Sequence, residues 1–182
     1  VGPELFRTET RVQLEAMGEV LATVDPAPTL WLTYRSQFDM WLKDNATDAG
    51  ACDLTGVRIK EIDPDKAMVQ LSDGRTLATK VIIGADGVAS PTAKALFGRA
   101  YDPKRIGFAF EAEVPGAAQP GIRIDFAQAL WGYGWHFPKS GGTTIGVGGV
   151  QAMNPELRTV MDTYLGDEQT PVKGAFLPFG DV

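Results

Sequence analysis

Val81-Ile82-Ile83-Gly84-Ala85-Asp86-Gly87-Val88-Ala89-Ser90 is the stretch on which the reading of this chain turns. Three consecutive apolar β-branched residues suit a short buried strand. Two glycines then bracket an acid at the strand's end. Glycine lets backbone approach a ligand closely, and a carboxylate beside it accepts hydrogen bonds from ribose or ribityl hydroxyls. Asp86-Gly87 is also a favoured turn pair, so a plain turn explains the dipeptide on its own. Ser90 followed by Pro91 predicts an N-cap and first helical position, with the helix running to about Phe97.

Working upstream, Ser72-Asp73-Gly74 separates Val69 and Leu71 from Arg75–Thr79 as a hairpin, and Leu54–Ile62 reads as a strand. Phe38, Leu42, Ala46 and Ala49 recur at helical spacing behind Ser36 as N-cap, and Gly50 stands at the C-cap position. Leu30–Tyr34 reads as a short strand, and residues before Pro26 are weakly patterned. Downstream of Gly98 the period changes to two. Ile106, Phe108, Phe110, Ala112 and Val114 alternate with Gly107, Ala109, Glu111 and Glu113, as a half-buried strand does. Gly121–Phe126, Trp131–Phe137, Thr143–Val150 and Pro171–Phe176 are further strands, the last preceded by a helix opening at Asn154-Pro155. Short links between consecutive strands predict an antiparallel sheet.

Composition narrows the chemistry. The 182 residues carry 17 Lys+Arg against 23 Asp+Glu, an acidic balance that speaks against a nucleic-acid partner. A single Cys52 excludes a disulfide framework or thiolate cluster, and a single His136 excludes multi-histidine metal sites, so no metal site is expected. No stretch is apolar enough to cross a membrane and no signal peptide is visible, so a cytoplasmic location is expected. His136 alternates to the face opposite Tyr133, Trp135 and Phe137 and reads as structural. Cys52 reads as a small buried hydrophobe, and Lys139 as a solvated strand end.

Three stretches, in order, carry a resemblance. Residues 81–90 resemble the second flavin fingerprint of the FAD-dependent superfamily that contains aromatic hydroxylases and geranylgeranyl reductases. Arg35-Ser36-Gln37-Phe38-Asp39-Met40-Trp41-Leu42 is similar to that superfamily's Arg-x-x-Phe-Asp-x-x-Leu helix start. Tyr133-Gly134-Trp135-His136-Phe137-Pro138 resembles the Tyr-x-Trp-x-Phe-Pro motif of geranylgeranyl reductases.

The resemblance implies an α+β fold: an α/β portion of a FAD domain over residues 1–104 and an antiparallel substrate sheet over 105–182. It implies FAD as cofactor, with Arg35, Val57, Asp86 and Gly87 on the cofactor side, and NAD(P)H or another reductant as electron donor. Tyr133, Trp135 and Phe137 would face an apolar small-molecule substrate. Alternating along one strand, they form an aromatic wall suited to an extended alkene chain, although the core face of a sheet has the same pattern. The implied activity is reduction of carbon–carbon double bonds in an isoprenoid or other apolar substrate. The alternative is FAD-dependent hydroxylation of an aromatic or apolar substrate. No residue stands out as a proton donor. A lipid-like substrate would bring peripheral membrane contact, but no basic amphipathic helix supports it.

The 21 glycines include Gly146, Gly148 and Gly149 in one strand. Their spacing is not the G-x-G-x-x-G of a dinucleotide loop, and they are expected to make room for a bulky neighbour. Gly180-Asp181 follows proline and aromatic residues, so it is not read as the third flavin fingerprint. With neither the first nor the third fingerprint present, and Val1 in first place, the expectation is an internal piece of a two-domain flavoprotein that holds FAD weakly or not at all alone.

Overall fold

The computed structural model describes residues 5–102, 104–168 and 170–177. The fold is α+β, and the described residues divide into two compact units, one from 1–44 with 104–182 and the other from 45–103.

The first unit is built on a seven-stranded sheet. In chain order its strands are β2 (Val12–Ala16), β3 (Glu19–Val24), β8 (Gly107–Pro115), β9 (Ile122–Asp125), β10 (Tyr133–Lys139), β11 (Gly142–Val150) and β12 (Val172–Leu177). In space the order is β12-β8-β11-β10-β9-β2-β3. All neighbours are antiparallel except β2 and β9, which run parallel with Val12 opposite Ile122. The weakly patterned N-terminal residues are therefore strands of this sheet. The Arg123 guanidinium reinforces the parallel seam with two bonds to the Glu15 carboxylate, 2.9 and 2.7 Å. A separate pair, β1 (Arg7–Glu9) and β4 (Leu30–Leu32), leads into helix α1 (Arg35–Asp48). The Tyr34 carbonyl accepts from the amides of Gln37 and Phe38, both at 3.1 Å. The helix thus starts two residues earlier than a Ser36 cap predicts.

Helix α3 (Leu157–Leu165) closes one face of the sheet. Leu157, Met161 and Leu165, four apart, are buried against Ala112, Ile145 and Val147. Met161 and Val147 are fully buried, and each such side chain contributes roughly 1.5–3 kcal/mol. The alternation in β8 shows here: Phe110, Ala112 and Val114 turn toward α3, leaving Glu111 and Glu113 on the other face.

The second unit holds a small antiparallel sheet of β5 (Ile59–Asp63), β6 (Met68–Leu71) and β7 (Thr76–Ala78). Its first strand is shorter than the apolar pattern from Leu54 suggests. Residues 53–57 are spent on turns, with the Thr55 amide on the Asp53 carboxylate at 2.8 Å and the Val57 amide on the Leu54 carbonyl at 3.1 Å. Helix α2 (Pro91–Phe97) has the expected caps. The Ser90 hydroxyl accepts from the Ala93 amide at 2.8 Å, and Gly98 closes the helix in the left-handed region.

Two expectations fail in this unit. Val81–Ile83 is not a strand, and Val81 and Ile83 are 71% and 84% exposed. Among the described residues no strand pairs with this segment, and an unpartnered apolar run cannot form a ladder. Cys52 is exposed rather than buried, since it lies on the irregular segment before β5. Gly180-Asp181 lies outside the described residues.

Candidate functional site

The free face of the seven-stranded sheet carries a cleft of about 530 Å³. Every residue lining it belongs to the first unit. Strand alternation sends Tyr133, Trp135, Phe137 and Lys139 of β10 into it together. The rings form one continuous surface: Tyr133 meets Trp135 edge-on at 5.7 Å between centroids, and Trp135 stacks on Phe137 at 6.0 Å.

The glycines of β11 explain how the indole fits. Trp135 pairs with Gly146, and Tyr133 with Gly148. A Cβ on Gly146 would collide with the indole, 2.5 Å from its Cε2, and one on Gly148 would touch the same ring at 3.4 Å. The expected room for a bulky neighbour is therefore the seat of Trp135, which is only 8% exposed.

The segment from the end of β4 into α1 supplies Thr33, Tyr34, Arg35 and Ser36 to the cleft. The Lys139 ammonium donates to the Thr33 carbonyl and stands 5.6 Å from the centre of the Tyr34 ring. Lys139 is thus half-buried, not solvated as its strand-end position suggests. Burial lowers its pKa from the usual lysine value, while Glu113 and Glu111 oppose that shift. Burial likewise raises the Tyr34 phenol, reinforced by the negative charge of Glu113. Arg35 reaches the cleft at the first turn of α1, but its guanidinium is paired with Asp39 one turn on, at 3.0 Å, and is 82% exposed.

Behind β10, His136 points away from the cleft, its ring meeting that of Tyr164 edge-on at 5.2 Å. Gly134 permits this, since a Cβ there would sit 2.7 Å from the Tyr164 Cζ. Burial, aided by the nearby Arg123 charge, brings His136 down to about 4, so it is neutral at physiological pH.

The remaining sequence candidates lie in the second unit. Asp86 accepts from the Ser90 hydroxyl and from the Thr92 amide at 2.9 Å. These two bonds hold its carboxyl down at about 2. Gly84 is glycine because Thr92 packs on it, its Cβ 2.7 Å from where a side chain would begin, and Gly87 adopts φ +76°. The close approach at Gly84 is therefore to the helix, and the motif serves first as the cap of α2. Its carboxylate remains ionised, fixed and exposed, which is the chemistry a hydroxyl-bearing ligand needs. Val57 uses its amide in the turn to Leu54, which leaves only its carbonyl for a backbone contact.

The structure thus brings Arg35, Tyr133, Trp135 and Phe137 to one cleft, and Asp86 and Gly87 to one helix cap. Sequence reasoning missed Tyr34, Lys139, Thr144 and the pair Glu111 and Glu113 as lining residues. The alternation of β8 carried the signal for the glutamates, but a polar face reads as solvent until the sheet order is known. Among the described residues no group of His, Cys, Asp and Glu could hold a metal ion.

No protein-family model matches the chain. It is similar to protein FixC of Salmonella typhi, 44% identical over 64 residues, a stretch that makes up 34% of this chain and 15% of that protein. Among solved structures it is similar to a geranylgeranyl bacteriochlorophyll reductase-like protein of Thermoplasma acidophilum, with TM-score 0.69, 17% identity, 98% of this chain and 52% of that one. PqsL of Pseudomonas aeruginosa, a probable FAD-dependent monooxygenase, matches with TM-score 0.60 and 19% identity over 86% of this chain and 46% of that one. CmlS, a flavin-dependent halogenase, matches with TM-score 0.66 and 14% identity over 95% and 38%. At these identities the likeness establishes the fold, one found in FAD-dependent enzymes. The chain spans about half the length of these structures or less.

Proposed function

We propose that this chain belongs to a flavin-dependent reductase acting on carbon–carbon double bonds of an isoprenoid or similarly apolar substrate. The observation that carries the reading is the continuous Tyr133–Trp135–Phe137 surface, with its indole seated on a strand of glycine. A bound flavin supplies the two-electron redox chemistry. The chain's own residues bind and orient the substrate. The aromatic face holds an apolar chain extended and excludes water from it.

Arg35, at the start of α1, offers a cation on the cofactor side once its pairing with Asp39 is exchanged. Asp86 accepts ribose or ribityl hydroxyls, Gly87 gives the turn its left-handed step, and the Val57 carbonyl borders the adenine. NAD(P)H or another reductant is the electron source. The location is cytoplasmic, with membrane contact limited to what an apolar substrate requires. No described helix is long and apolar enough to cross a membrane.

The fold shared with a probable FAD-dependent monooxygenase favours hydroxylation as the second reading. Flavin-loaded protein expressed from its complete gene separates the two. In the reductase reading, an isoprenoid alkene reoxidises the reduced protein anaerobically. Substrate-stimulated oxygen uptake without anaerobic reoxidation would replace that reading with the monooxygenase. The 182-residue chain, which has no G-x-G-x-x-G loop, is expected to lose FAD on desalting. A stoichiometric yellow complex after desalting would overturn that expectation of weak binding.

A further inference from the structure

The cleft has a second wall that an apolar substrate alone does not use. Cross-strand register arranges its floor in rows. One row runs Phe137, Thr144, Glu113; the next runs Trp135, Gly146, Glu111 and Lys173. Each begins with an aromatic ring on β10 and reaches a carboxylate on β8, two strand spacings or roughly 10 Å away. That distance fits a molecule with an apolar body and one polar end.

The cleft's cations are differently placed. Arg35 is paired with Asp39, and the Lys139 ammonium is donated to the Thr33 carbonyl. Lys173 lies directly across from Glu111 on β12, and the charges of Glu113 and Glu111 both act on the Lys139 ammonium. Glu113 is held by Thr144, a 5% exposed side chain whose hydroxyl donates to Oε2 at 2.8 Å. Among the described residues, Oε1 of Glu113 accepts no hydrogen bond. A buried hydroxyl thus fixes a carboxylate that keeps one oxygen for a donor from outside.

We infer that the cleft selects an amphiphile. Its apolar body lies on Tyr133, Trp135 and Phe137, and its hydrogen-bond-donating head group, hydroxyl or ammonium, is read by Glu113. Thr144 is the positioning residue. This rests on the aromatic-cleft reading above and adds the head group to it.

Calorimetric titration of the chain with decan-1-ol, decylammonium and decanoate tests it, with W135A as the control for the site. A hydrogen bond to a charged group predicts that the alcohol and the ammonium bind on the order of tenfold tighter than decanoate. In E113Q and in T144V that preference collapses, whereas T144S, which restores the hydroxyl, keeps it. Equal binding of all three ligands, tighter binding of decanoate, or an unchanged preference in E113Q overturns the head-group assignment and leaves the aromatic cleft standing. Absence of any binding that W135A abolishes overturns the aromatic cleft and this inference with it. The alcohol and ammonium arms distinguish a neutral from a cationic head.

Discussion

Replacing Gly146 by alanine probes the seat of Trp135 directly. The new Cβ would lie inside the indole's packing distance, 2.5 Å from Cε2, and 2.8 Å from the Phe110 carbonyl oxygen of the neighbouring strand. The ring cannot tilt freely, because Phe137 stacks on one side at 6.0 Å and Tyr133 meets the other at 5.7 Å. Overpacking of this kind costs about 1–3 kcal/mol. The lower backbone freedom of alanine in the unfolded chain returns about 0.4–1 kcal/mol where the backbone is compatible. A net loss of about 1–2 kcal/mol is therefore expected.

In a W135A background the ring clash disappears while the carbonyl contact stays. The same G146A change should then cost clearly less, a coupling of about 1 kcal/mol in a double-mutant cycle. W135A alone removes a nearly buried indole and is expected to cost about 3–5 kcal/mol. Urea unfolding followed by far-ultraviolet circular dichroism, which needs no tryptophan, measures all four proteins. The reasoning fails if G146A is as stable as the parent, or if its cost is the same with and without Trp135.

Other perturbations address the rest of the sheet and the helix cap. His136, brought down to about 4 from 6.5, binds its proton more weakly folded than unfolded, so stability is full above pH 6.5 and falls as pH drops toward 4; H136Q should flatten the urea midpoint across that window. Asp86 is depressed from 3.8 to about 2, so its contribution is present above pH 3.8 and is lost as pH falls through 2. D86A should lose about 0.5–2 kcal/mol, as removal of a capping side chain does, with amide exchange rising first in α2. Among the described residues the buried Tyr164 hydroxyl has no hydrogen-bond partner, so Y164F should match or exceed the parent by up to about 1 kcal/mol in the same unfolding assay. A clear loss there would reveal a partner for that hydroxyl.

What could be read from the chain was whatever local chemistry specifies. Helix α2 was legible because Ser90, Pro91 and Gly98 each perform a local task, and β8 because one face had to be apolar against α3. The aromatic triplet of β10 was placed on one face by alternation alone. The N-terminal strands were not legible. Their partner, β9, lies about a hundred residues on, and no nearby residue encodes that pairing. Val81–Ile83 has the composition of a buried strand, but a strand also needs a neighbour, which composition does not supply. Lys139 was misread for a similar reason: its burial comes from Thr33 and Tyr34, which reach it only through the tertiary fold. Glu111 and Glu113 looked like the wet side of a strand because nothing local reveals that the wet side is a cleft.

The parallel seam between β2 and β9 also sets an order of events. Val12 meets Ile122 only after the whole intervening stretch has been made, whereas β5, β6 and β7 find one another across short turns. Long-range pairing is the slow part of folding because the loop must close before any contact rewards it. During synthesis the small hairpin sheet is therefore complete while β2 and β3 still wait, with Val20 and Leu21 exposed even in the finished fold. The edge that waits longest is the one a growing chain most needs shielded, and Glu15, with only its strand neighbour Gln13 to bond until Arg123 emerges, marks the moment the wait ends.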